Sequence, residues 1–298
     1  HGRPRHTQGD TRGSGLNAGQ TYGIDVMQEQ AELMHAIRDA CDAQNLPVDT
    51  LIKESAPSQY EINLYHTADA LLAADQAVML QRAIKGVAKK HGFLATFMAK
   101  PFADIAGNGM HVHCSVLDSE GHNAFDDGSG KGTPLLQQAV AGCLATLEES
   151  MLLFAPNQNS YRRFQRGTHA PLAPTWGYEN RTVALRVPAD APAATRIEHR
   201  VAGADANPYL VVAGLLAGML HGIEGGLNPP APLEGNAYDQ VAPSLPRYWA
   251  DALARFEASA HIRSAFGEDF QKVFAILKQQ ELDEFDRQVT LLEYDACL

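Results

Sequence analysis

Cysteine is scarce: Cys41, Cys114, Cys143 and Cys297 are the four in 298 residues, and no two stand at C-x-x-C spacing. That excludes a thiolate zinc ribbon and a disulfide framework, and it suits a reducing compartment, the cytoplasm being the simplest. No apolar run reaches membrane-spanning length and no stretch reads as a signal peptide, so no membrane partner is expected. Basic residues are outnumbered, 24 Lys and Arg against 35 Asp and Glu, for a formal charge of −11. So acidic a balance excludes a general nucleic-acid binder, because phosphate backbones need a basic surface. It suits a protein that gathers carboxylates around divalent cations, and it suits plain solubility equally. Internal repeats and low-complexity linkers are also missing. What remains, 45% apolar and 20% charged residues, is ordinary for a soluble globular chain long enough for one large domain or two small ones.

The opening residues, from His1 through R-P-R-H-T-Q-G-D-T-R-G-S-G, are polar and glycine-rich. Residues 1–20 are expected to form a flexible segment, resembling a loop cut open rather than a natural terminus. Periodicity predicts an amphipathic helix over 26–44 with Leu33, Met34, Ile37 and Cys41 on one stripe. Short strands are expected over 50–53 and 60–65. A long helix over 68–90 carries Leu71, Leu72, Val78, Met79, Ile84 and Val87, closed by Gly92. Strands are expected at 93–98 and 110–117, pairing near one another. A helix follows over 135–153. The Arg-, Pro- and Thr-rich region 157–192 shows little period until 183–187, and 196–201 alternates again. Residues 210–223 are apolar almost all round and should be buried; helices over 248–257 and 268–292 finish the chain. Short strands mixed with long helices, without a βαβ rhythm, indicate an α+β domain.

The most informative stretch is Lys100–Ser115, K-P-F-A-D-I-A-G-N-G-M-H-V-H-C-S. Strand alternation puts His111, His113 and Ser115 on one face and Met110, Val112, Cys114 and Val116 on the apolar one. Beside them, Gly107 and Gly109 let backbone approach a ligand closely. Two imidazoles and a hydroxyl there suit a metal and a phosphate, although alternation alone is equally met by a half-buried strand facing water. In R-I-E-H-R, Arg196, Glu198 and Arg200 share a face, which alone fits a cross-strand salt-bridge ladder. Glu54 and Glu61 bracket E-S-A-P-S-Q-Y-E, and alone they read as solvated glutamates. Trp176 and Cys114 read as packing rather than chemistry.

Taken whole, Lys100–Ser115 resembles the ATP-binding signature of the glutamine synthetase family, position by position. The strings N-S-Y-R-R (159–163), E-N-R-T-V-A-L-R-V-P (179–188) and A-N-P-Y (206–209) extend the resemblance. It covers nearly all of 21–298 and corresponds to the family's C-terminal catalytic domain. The resemblance implies a curved antiparallel sheet backed by helices. It also implies ATP and Mg2+ or Mn2+ as cofactors, and hard cations of that kind prefer oxygen ligands. By the same resemblance, Glu54 and Glu61 ligate one cation, and His111 and Glu198 a second. His113, Ser115, Arg186 and Arg196 face the nucleotide. Gly107, Arg163 and Arg200 hold the amino-acid substrate, and Arg181 and Arg186 contact the transferring phosphate. Forked guanidinium donors suit both phosphate and carboxylate. The implied reaction joins the γ-carboxylate of glutamate to an amine through γ-glutamyl phosphate, in a homo-oligomeric ring of the complete protein.

The family's ammonia-using members carry G-Y-E-A-P after N-S-Y-x-R, where the glutamate binds ammonium. This chain has G-T-H-A-P, with Thr168 and His169 in place of the tyrosine and glutamate. An imidazole is a poor ammonium ligand but can serve as a base toward an alkyl amine. Together with T-F-M-A-K-P and F-A-P-N-x-N-S-Y-R-R-F, this resembles the subgroup that γ-glutamylates putrescine and related polyamines. The alternatives are an ammonia-using glutamine synthetase and a non-catalytic homologue or inactive fragment. The last arises because the family's N-terminal small domain and its E-x-E-F strand have no counterpart in this sequence.

Overall fold

The computed structural model describes residues 21–188, 191 and 194–298. The polar opening expected over 1–20 lies outside them, as do 189–190 and 192–193. The chain divides into two compact units, His1–Gly107 and Asn108–Leu298.

In the first unit, α1 (Ile24–Glu29) and α2 (Ala31–Asp42) occupy the span expected as one helix. The break is Gln30, at φ −110° and ψ 15°, with neither glycine nor proline to announce it. The expected stripe of α2 is buried at Leu33, Met34, Ile37 and Cys41. Next come β1 (Val48–Lys53) and β2 (Tyr60–Leu64), an antiparallel pair with Ile52 opposite Glu61 and Lys53 opposite Tyr60. α3 (Ala70–Lys90) starts where the Asp69 side chain accepts from the Leu71 and Leu72 amides. It ends before Gly92, whose φ of +78° suits a residue without Cβ. The face it buries runs through Ala74, Leu80, Ala83 and Val87, whereas Leu71, Leu72 and Met79 are exposed. Residues 93–98, expected as a strand, form none, and Leu94 lies open to solvent.

The second unit holds a four-stranded sheet: β3 (Val112–Cys114), β4 (Trp176–Tyr178), β5 (Leu185–Val187) and β6 (Ile197–His199). Their order is β3-β6-β5-β4, antiparallel except for the parallel β4–β5 pair. β3 is shorter than expected and pairs with β6, not with 93–98. One sheet face, through Val112, Cys114, Trp176, Leu185, Val187 and Ile197, packs onto α4 (Pro134–Phe154) and α6 (Pro208–Glu224). This is the α+β arrangement of a sheet backed by helices. The backing helices meet through glycines: a Cβ on Gly142 would stand 2.1 Å from the Gly218 carbonyl oxygen. α6 is not buried all round, for Tyr209, Leu216 and Leu220 face outward.

Short α5 (Gln158–Tyr161) and α7 (Ala237–Gln240) lie in the connections. The C-terminal helices are α8 (Trp249–Ala258), α9 (Ala260–Phe266), α10 (Glu268–Asp286) and α11 (Leu291–Cys297), four where two were expected. Gly267, at φ +86°, separates α9 from α10. Trp249, Leu253 and Phe256 of α8 close a second core on Leu147–Phe154 of α4. No helix among the described residues is long and apolar enough to cross a membrane.

Candidate functional site

The sheet's other face carries the chemistry of the second unit. His113, Glu198 and Arg186 stand directly opposite one another on β3, β6 and β5, so their side chains form one row. Glu198 is buried, with only 4% of its side chain exposed, and its carboxylate is fully engaged. Oε1 accepts from Arg200 Nη1 at 2.5 Å, Oε2 accepts from Arg186 Nη1 at 2.7 Å, and His111 Nδ1 lies 3.5 Å from Oε1. Burial alone would raise the Glu198 carboxyl; Arg200, His113 and Arg186 hold it below the usual carboxylate range instead.

The arginines have their own supports. Arg186 gives Nε and Nη2 to Glu179 Oε2 at 3.2 and 2.5 Å. Arg196 Nε donates to His113 Nδ1 at 2.9 Å, which needs that nitrogen unprotonated. Arg163 is buried, donating from Nη1 and Nη2 to the carbonyls of Val201 and Arg200 at 2.7 and 3.1 Å. Burial, with Arg200 beside it, pushes its pKa down to about 10. Burial and the nearby Arg200 and Arg163 also push His111 well below its ordinary value, which favours a neutral imidazole. Gly109 is needed here: a Cβ would lie 2.7 Å from Arg163 Nη2 and 3.0 Å from His111 Nε2.

The geometry thus brings together His111, His113, Arg163, Arg186, Arg196, Glu198 and Arg200. Of the other expected residues in this unit, Arg181 is exposed on the β4–β5 loop and Ser115 is exposed just past β3. His169 is exposed on the loop after α5 at φ +55°. In the first unit, Glu54 follows β1 directly and Glu61 lies on β2, on the face away from Tyr60, Ile62 and Leu64, which pack on the core. Gly107 is tied to the loop between those strands, since Gln59 Nε2 donates to its carbonyl at 2.8 Å.

Two residues escaped the sequence reading. Buried Lys53 holds the β1–β2 loop by giving Nζ to the carbonyls of Glu54 and Ala56 at 2.7 and 2.6 Å. Glu179, at φ +47°, grips Arg186. An acidic residue next to N-R in Y-E-N-R was the one visible signal for it.

Among the described residues, no three His, Cys, Asp or Glu side chains are gathered as a metal site; the four expected ligands are divided two to each unit. The chemistry of the second unit's set nonetheless fits a cation-bearing phosphate. Four guanidiniums face Glu198 and Glu179 there, with Asp205 acting on Arg163, which still leaves cationic excess for an anion. One buried carboxylate and one imidazole that favours its neutral form supply donors of the kind a divalent cation takes.

A model of the glutamine synthetase catalytic domain matches residues 4–297. The chain is 43% identical over 279 residues to γ-glutamylputrescine synthetase PuuA of Escherichia coli K12, covering 94% of this chain and 59% of that protein. It is 37% identical to γ-glutamylethanolamide synthetase GlnA4 of Streptomyces coelicolor, covering 94% and 61%. A glutamate–isopropylamine ligase of Pseudomonas sp. is 36% identical, with 90% and 59% covered. The chain therefore spans about three fifths of the length of these relatives. Among solved structures, apo GmaS without ligand superposes with a TM-score of 0.85 at 30% identity, covering 95% of this chain and 66% of that one.

Proposed function

The chain belongs to the glutamine synthetase family through that family's catalytic domain, and we propose that its protein is an ATP-dependent ligase joining the γ-carboxylate of glutamate to an amine, with putrescine or a related polyamine as acceptor. The observation that carries this reading is the arginine cradle around buried Glu198, with His111 beside it. Phosphoryl transfer asks mostly for positioning and charge neutralisation. Arg181, Arg186, Arg196, His113 and Ser115 take the nucleotide in this reading. Arg163, Arg200 and Gly107 hold glutamate, the guanidiniums pairing with its carboxylate. Glu54 and Glu61 hold one Mg2+ or Mn2+ and His111 and Glu198 the other; bound there, the cations neutralise phosphate charge. To engage a cation, Glu198 must loosen its bonds to Arg186 and Arg200, which then turn to phosphate and substrate. The complete protein assembles as a homo-oligomeric ring.

The choice of amine rests on His169. It stands where an ammonium-binding glutamate is expected in ammonia users, and three relatives are named for γ-glutamylputrescine, γ-glutamylethanolamide and the joining of glutamate to isopropylamine. A neutral imidazole can take a proton from an alkylammonium acceptor. The test is ligation by the natural protein with glutamate, ATP and Mg2+, comparing putrescine with ammonium. Faster γ-glutamyl amide formation from the diamine is expected, and His169→Glu should raise ammonium use. Phosphate release that saturates with ammonium and ignores polyamines would return the protein to glutamine synthetase chemistry.

A further inference from the structure

The loop that bears His169 spans residues 165–170. Gly167 and His169 both sit at positive φ, and Thr168 Oγ1 donates back to the Arg163 and Gln165 carbonyls at 3.1 and 2.7 Å. It is bonded to α7, some seventy residues later. Arg166 donates from Nη1 to the Tyr238 carbonyl at 2.5 Å and from Nη2 to Asp239 Oδ1 at 2.8 Å. Tyr238 is buried and gives its hydroxyl to the Ala170 carbonyl at 2.8 Å. Loop and helix are therefore tied at both ends of the segment, at Arg166 and at Ala170.

α7 is itself anchored on the side of the phosphate-facing arginines. Asn236 Nδ2 donates to Asp239 Oδ2 at 2.7 Å, fixing the carboxylate that takes Arg166. The Ala237 amide donates to Thr182 Oγ1 at 2.9 Å, and Asn180 Nδ2 reaches the Leu233 and Gly235 carbonyls at 3.0 and 2.8 Å. Asn180 and Thr182 flank Arg181 on the β4–β5 loop. One short segment, 233–240, thus joins the His169 loop to the Arg181 loop.

We propose that α7 sets the position of the 165–170 loop, with Arg166 and Tyr238 as positioning residues that determine how the amine acceptor is admitted. This rests on the reading above, in which His169 faces the amine. The Arg166–Asp239 pair is solvent-exposed at both ends, 61% and 63%. Such pairs contribute about 1 kcal/mol at most, so its loss converts to roughly a fivefold change in loop opening. The buried Tyr238 hydroxyl bond should contribute more, since its loss leaves the Ala170 carbonyl without that donor.

The experiment follows trypsin cleavage after Arg166 and hydrogen exchange of amides 165–170 in wild type, Asp239→Asn, Tyr238→Phe and the double variant. Cleavage about fivefold faster in Asp239→Asn is expected, with faster exchange in both single variants and the fastest in the double. Arg166→Lys, which keeps the charge but loses the fork, should exchange at an intermediate rate. In ligation by the natural protein, the amine KM should rise in both single variants, with the KM for ATP and glutamate unchanged. Exchange and cleavage at wild-type rates would overturn the proposal. So would faster exchange that leaves the amine KM untouched, because the loop would then be held but would not govern the acceptor. Absence of amine ligation in wild type would refute the functional reading, while exchange and cleavage would still decide whether α7 holds the loop.

Discussion

Replacing Glu198 by Gln should destabilise the second unit by about 3–5 kcal/mol, the cost of removing one partner from a buried ion pair. Wild-type Glu198 balances two guanidiniums, and the side chains of Arg200 and Glu198 are only 5% and 4% exposed. Water therefore cannot screen what is left behind. Glutamine keeps the volume but loses the charge, and its amide NH2 then faces a guanidinium donor. Both tryptophans, Trp176 and Trp249, lie in this unit and are buried, so their fluorescence in a urea titration reports the unit that is perturbed. With a slope of about 3 kcal/mol/M, the midpoint should fall by roughly 1–2 M. Inorganic phosphate should then recover more stability in the variant than in wild type, because Arg186 and Arg200 have lost the buried carboxylate they share. The same geometry fixes a pH sign. Because Glu198 is held below its ordinary value of 4.5, its contribution is whole above that pH and is lost as pH falls through the native value. A Glu198→Gln protein within about 1 kcal/mol of wild type, or equal phosphate stabilisation of both, would refute the reasoning.

Three further outcomes follow from packing and burial. Gly142→Ala and Gly222→Ala should each cost about 2–3 kcal/mol or more in chemical denaturation, since the new methyl meets backbone of the facing helix at 2.1 and 2.0 Å. Gly86→Ala, exposed on α3 with nothing within 4 Å, should instead stabilise by about 0.5–1 kcal/mol. His199 packs on Phe154 at 4.4 Å between ring centroids, and burial pushes its pKa down to about 3. The unfolded chain takes that proton below about pH 6.5, so stability is whole above 6.5 and falls toward 3, by about 2 kcal/mol at pH 5. His199→Phe should flatten the stability profile between pH 6.5 and 5, measured by urea titration at each pH.

What could be read in advance divides by range. A period of two was enough to place His113 and Glu198 on the polar face and Val112, Cys114 and Ile197 on the apolar one, because alternation is local. It was not enough to mark strand ends, so 110–117 shrank to Val112–Cys114. Nor could it show that 93–98 would lack a partner, since pairing depends on where β6 runs. Gln30 breaks a helix without glycine or proline, and α6 exposes Leu216 and Leu220 despite an apolar sequence. Both depend on what packs alongside. Arg166 with Asp239 is a tertiary contact with no periodic trace, and Lys53 holds its own loop through backbone bonds that alternation does not reveal.

The R-I-E-H-R segment carries the salt bridges that its alternation alone suggested. A salt-bridge ladder and a substrate cradle were alternatives on sequence alone, and the structure has the ladder: Arg200 and Arg186 both close on Glu198. A cluster of arginines this close together carries a problem, because buried like charges repel and lose hydration. Glu198 answers it as an internal counter-ion, and Glu179 does the same for Arg186 from the exposed side. The two supports differ in burial, so they differ in consequence. Removing the buried carboxylate should cost about 3–5 kcal/mol, whereas removing the exposed one leaves Arg186 still held by Glu198. In the proposed function, the guanidiniums that pair with Glu198 across the sheet are also the ones that would receive phosphate and substrate.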